Sequence, residues 1–135
     1  MNVNFRNLAI LSALVFFALG FAWMLAPSFF PSRWGVEFSY PVGLIGRRGA
    51  ALYVGIGVMF FSARNAEPSS ARSALVKGFT VACLTLAGLG VFELLTGHAR
   101  SGILAAVLIE AALALAFVCV ARIGDASHEA GTLSS

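Results

Sequence analysis

The sequence predicts an all-α integral membrane protein, an up-down bundle of four helices, and three observations carry that expectation. Of 135 residues, 59% are hydrophobic and only 11% charged, whereas a soluble domain carries about a quarter charged residues. The mean hydropathy is +0.90, which leaves too little polar surface to cover a water-soluble globule. The apolar residues also fall into four blocks, each close to the roughly 20 residues that cross a bilayer as a helix. Lipid offers backbone groups no water, so each block is expected to be helical. Strand-like spans of about ten alternating residues are not seen. A single domain is expected over 1–123, with spans at about 8–26, 42–63, 74–96 and 101–121. A polar flexible tail, 124–135, follows.

The first block, "LAILSALVFFALGFAWMLA", is closed by Pro27 and Pro31. A signal peptide is the rival reading, because Arg6 precedes the apolar run. That run exceeds the usual ~7–15 residues, and no small-x-small cleavage site follows it. Next comes "PSFFPSRWGVEFSYP", whose aromatic residues suit the headgroup level, where an apolar ring meets water. It is expected to lie along the membrane surface.

The second block, "VGLIGRRGAALYVGIGVMFFSA", holds Arg47 and Arg48. Either its helix begins near Pro41 and carries both arginines inward, or it begins at Gly49 and is short. Arginine can reach an interface along its aliphatic stem, so the first option is open. "RNAEPSSAR" is a turn, the third block contains Glu93, and "GHAR" forms a tight link to the fourth. Short links make successive helices antiparallel neighbours. Both termini and the 64–77 link then share one side, with five Lys/Arg against four on the other. If Arg47 and Arg48 point into the bundle, the other side keeps two. The positive-inside bias puts both termini in the cytoplasm.

The net charge of +3 comes from basic residues set mostly between the apolar blocks. No basic run or stripe exists, so no nucleic-acid partner is expected. No phosphate-cradling glycine loop is followed by Lys-Ser/Thr. Cys83 and Cys119 form no CxxC pair and read as small hydrophobes in helix packing. His98 would be an unpaired haem ligand. No metal site and no cofactor are expected.

The residues that invite a functional reading are acids inside apolar blocks. At 1.5 Å per residue, Glu110 lies about 14 Å from the start of the fourth span, and Glu93 about 6 Å from the end of the third. Arg47, Arg48, His98 and Arg100 belong to the same half. Gly102, Ala106, Glu110 and Ala114 recur every four residues, a stripe of small side chains that should turn Glu110 toward the bundle. A charge in mid-membrane costs at least ~2.5–3.5 kcal/mol, so such groups pair, become neutral or line a wet cavity. Glu93 is the expected salt-bridge partner of Arg47 or Arg48. Those two lie about 100° apart around the helix, so one is expected to face inward and the other to snorkel. Tyr53 lies deeper and could donate its hydroxyl to either acid.

The segments "RRGAALYVGIGVMFF" and "GVFELLTGH", with an acid in the last span, resemble the DoxX-like and related small four-helix bacterial membrane proteins. The resemblance implies a multi-pass protein of the bacterial inner membrane and says little about activity. Small multidrug transporters resemble this chain poorly, because their essential acid sits in the first span, which here has none.

Three functions are compatible with these residues. In the first, Arg47, Arg48, Tyr53 and His98 contribute to a pocket for a hydrophobic or amphipathic small molecule. The same reading includes an accessory role, with small-residue faces at glycines 55, 57, 88 and 90 docking on a membrane-protein partner or a second copy. In the second, Glu110 and Glu93 are the catalytic acid and base of an intramembrane isomerase or cyclase. In the third, Glu110 is the titrating group of a proton-coupled small transporter.

Overall fold

A computed structural model describes the backbone of residues 4–132 and the side chains of residues 4–121. Among the described residues the chain is helical and contains no strand. In order, the helices are α1 (Phe5–Leu25), α2 (Phe29–Trp34), α3 (Tyr40–Ala63), α4 (Ser70–Leu95) and α5 (Leu104–Thr132). A short 3-10 turn, Ser101–Ile103, precedes α5. Four helical stretches, of 21, 24, 26 and 21 residues, are long and apolar enough to cross a membrane. The polar stretch 124–135, expected as a flexible tail, lies outside the residues whose side chains are described.

The helix starts are set by polar caps that hydropathy alone does not weigh. Side-chain oxygens of Asn4, Ser39 and Ser69 accept from the backbone N–H of Arg6, Val42 and Arg72, satisfying donors that a helix start leaves free. The caps explain why the helices begin two to four residues before the expected blocks. The open question about the second block is also resolved. Ser39 caps α3 and Pro41 occupies its first turn, where the missing N–H costs nothing. Arg47 and Arg48 therefore lie two turns inside a continuous helix.

Helices α1 and α3 pack along each other in opposite directions. Trp23 meets Gly46, Gly20 meets Val54, and Phe17 meets Gly57. Helices α4 and α5 form a second antiparallel pair, with Gly90 against Val107 and Phe79 against Phe117. Inward residues recur at alternating spacings of three and four: Gly43, Gly46, Ala50, Tyr53, Gly57 and Phe60 on α3. From Ile103 in the 3-10 turn, the same rhythm runs along α5 through Ala106, Glu110, Leu113, Phe117 and Val120. This period keeps one seam facing a neighbouring helix.

The two pairs meet at the end that holds the start of α1. There Phe60 packs on Phe79 and Phe117, with ring centroids 4.6 and 5.2 Å apart. Phe16 closes on Phe79 at 5.4 Å. Phe60 and Phe117 are fully buried. Toward the other end a different set of residues faces the space between the pairs.

Segment 27–41 was expected to lie along a membrane surface. Within it, residues Phe29–Trp34 form α2, which folds onto the helix ends. Phe30 and Trp34, one turn apart, both pack on Trp23, at 5.1 and 5.9 Å. Gly35 ends α2 in the left-handed region at φ 81°, and the Arg100 side chain lies against it. The Arg100 N–H donates to the Trp34 carbonyl at 2.7 Å, tying α2 to the turn before α5.

Candidate functional site

A cavity of about 520 Å³ lies between α3 and the α4–α5 pair, with α2 at one end. Its wall includes Trp23, Trp34, Tyr53, Leu89, Glu93 and Glu110. Apart from the two acids and Tyr53, side chains in the wall are apolar or the indoles of Trp23 and Trp34. The volume falls within the ~300–1,000 Å³ range of sites that enclose small molecules.

Each polar group reaches the cavity for a local reason. Glu110 sits on the inward stripe of α5, one turn beyond Ala106 and one before Ala114. The small neighbours leave the cavity unfilled around it. Among the described residues, its carboxylate has no hydrogen-bond or ion-pair partner. Tyr53 occupies the inward stripe of α3 and packs on Phe16 at 5.8 Å, linking the wall to the aromatic end. Glu93 lies in the last turn of α4, half-buried.

Glu93 takes a partner the sequence did not suggest. The His98 Nδ1–H donates to its Oε2 at 3.0 Å. Gly97 makes this possible by turning the chain at φ 77°. The backbone N–H groups of His98 and Ala99 then both donate to the Glu93 carbonyl, a left-handed helix ending that brings His98 back over the last turn. Thr96 Oγ1 stands 3.2 Å from the same ring nitrogen. The two side chains are 70% and 43% exposed, so the pair is a loose one.

The expected bridge from Arg47 or Arg48 to Glu93 is absent among the described residues, and so is the expected inward arginine. Both side chains are exposed. The inward seam of α3 runs through Gly46, Ala50 and Tyr53, which leaves 47 and 48 on the outer face beside exposed Leu44 and Leu52. The structure thus brings Glu93, Glu110 and Tyr53 to one cavity, with His98 attached through Glu93. Arg47 and Arg48 stand apart from it.

Sequence reasoning missed the aromatic part of the wall. Trp23 and Trp34 line the cavity, and Pro31 beside them is buried. A signal was present in Gly46: a Cβ there would overlap the Trp23 ring, so the glycine makes room for the indole. Of the four glycines expected to offer close-packing surfaces, Gly57 and Gly90 are used inside the two pairs. Gly55 and Gly88 have no atom within 4 Å of where a Cβ would stand.

Cys83 is buried in the core, Cys119 is exposed, and both are free. Among the described residues, no three His, Cys, Asp or Glu side chains gather in a way that would hold a metal ion. No family model matches the chain, and neither the curated proteins nor the solved structures contain a match.

Proposed function

We propose that the protein crosses a membrane with four helices in alternating directions and binds an amphipathic small molecule in the cavity between its helix pairs. The observation that carries the binding reading is the unpartnered Glu110 carboxylate in a cavity wall that is apolar apart from Glu93 and Tyr53. Glu110 is half-buried in a wall that offers its carboxylate no partner, and a ligand's polar head would supply one while its apolar body lies against Leu89 and Trp34. Membrane residence is supported by the outer surface. Leu25, Leu95, Leu52 and Leu108 are 83, 81, 72 and 68% exposed, part of an apolar coat beyond what soluble monomers expose. We place the protein in a bacterial inner membrane with both termini cytoplasmic, in keeping with the five-to-four distribution of Lys and Arg.

Gly49 offers the test. It lines the cavity, and nothing lies within 4 Å of where its Cβ would stand. Gly49→Leu therefore has room for its first side-chain carbon and is expected to extend the rest into the cavity. Protein purified from membranes is extracted with organic solvent, and the co-purifying molecules are weighed by mass spectrometry. The wild type is expected to carry a species that Gly49→Leu lacks at equal protein. Identical extracts from both would remove the binding reading.

One observation supports a second reading, acid–base catalysis on a lipid-soluble substrate: Glu93 and Glu110 line the same cavity, and only Glu93 is hydrogen-bonded to a histidine. Different surroundings for two acids are how one site supplies both proton donor and acceptor. Under this reading Glu110→Gln abolishes turnover and leaves binding intact. Retained turnover would dismiss it.

A further inference from the structure

We propose that the cavity's ligand is an amphipathic cation, an alkyl amine or quaternary ammonium, with its charged head at Glu110. This rests on the reading that the cavity holds an amphipathic molecule, and it specifies the charge of that molecule's head. The balance of charge in the wall is the first support. Glu93 and Glu110 line the cavity, and no Lys, Arg or His does. The basic residues around it are directed elsewhere. Arg47 and Arg48 are exposed on the outer face of α3, the Arg33 guanidinium lies over Phe29 at 5.1 Å, and the Arg100 side chain packs on Gly35. His98 is held by Glu93 at 3.0 Å. Glu110 is thus the acid left for a ligand.

The second support is independent of the carboxylates. Trp23, Trp34 and Tyr53 contribute aromatic surface to the same wall, and aromatic faces attract cations, most strongly where water is excluded. An anionic head would meet two like charges. A neutral head would leave the Glu110 carboxylate without an ionic partner. The remaining wall, with Ile45, Leu86 and Val107, suits an apolar tail.

The test uses three probes with the same ten-carbon chain: decyltrimethylammonium, decanol and decanoate. The full chain is held in nanodiscs of neutral phosphatidylcholine. Binding is read from tryptophan fluorescence, because the chain has two tryptophans and both line the cavity. The signal that persists in Gly49→Leu measures bilayer partitioning and is subtracted. The cation is expected to bind about tenfold or more tightly than decanol, the scale of one quaternary ammonium held without a hydrogen bond beside a carboxylate and aromatic faces, with decanoate weakest. Glu110→Gln should cut the cation's advantage over decanol severalfold, leaving the part due to the aromatic wall, and should leave decanol unchanged. Equal binding of all three probes overturns the charge assignment while the amphipathic-ligand reading survives. A cation preference undiminished in Glu110→Gln overturns the role of that residue. No saturable signal from any probe removes both. The wild-type series decides the sign of the charge even where Glu110→Gln fails to fold.

Discussion

Gly46 and Gly49 stand one turn apart on α3, both in the cavity wall, and replacing each by alanine should give opposite results. The backbone term is shared. Alanine in place of a helix-interior glycine stabilises by roughly 0.5–1 kcal/mol. At Gly49 nothing lies within 4 Å of the new methyl, so that gain is realised in full. At Gly46 the methyl overlaps the Trp23 ring. The indole cannot retreat freely, because Phe30 stacks on it at 5.1 Å and Trp34 meets it at 5.9 Å. Forcing one extra carbon into such packing costs about 1–3 kcal/mol. The difference between the two variants cancels the shared term and should be about 1–3 kcal/mol, with Gly49→Ala the more stable. Thermal unfolding in matched nanodiscs measures it, and the Trp23 emission should shift in Gly46→Ala alone. Equal stabilities with unchanged emission in both variants would refute the packing of Trp23 against α3, and with it the aromatic wall of the cavity.

Other perturbations separate structural residues from those of the site. Phe60→Ala removes a fully buried ring from the aromatic end and should cost about 3–5 kcal/mol in unfolding experiments; a loss below 1 kcal/mol would contradict the packing described there. Arg47→Gln and Arg48→Gln should each alter stability by no more than about 0.5 kcal/mol, as exposed positions do, and should leave probe binding unchanged. His98→Ala breaks an exposed pair and should cost only about 0.2–1 kcal/mol. A larger loss in that variant, seen by thermal unfolding, would mean the pair is a structural anchor.

The fold was legible because apolar length is a strong signal: all four long helices overlap the blocks read from hydropathy. Their starts were less so, since Asn4, Ser39 and Ser69 act through single hydrogen bonds that block-averaged hydropathy does not register. The site was legible only in part. The stripe of Gly102, Ala106 and Ala114 correctly pointed Glu110 inward, because a face of one helix is written in local spacing. The pairing of Glu93 was not, because opposite charges attract attention and the turn at Gly97 does not. The alternation Gly43, Gly46, Ala50, Tyr53 would have placed Arg47 and Arg48 outside, had the small residues been weighed before the charges. The cavity itself depends on where two helix pairs separate, and no local pattern encodes that.

The division of the chain into two self-packed helix pairs has a consequence for its assembly. The link between them, residues 64–69, is a polar turn with exposed residues at 65–69, and the Arg72 guanidinium donates to the Ala66 carbonyl within it at 3.2 Å. Each pair already completes its own close helix contacts. A gene split at this turn should therefore yield two hairpins that insert separately and find each other through their phenylalanine-rich ends. Such a split protein would let either half be labelled, exchanged or redesigned without touching the other.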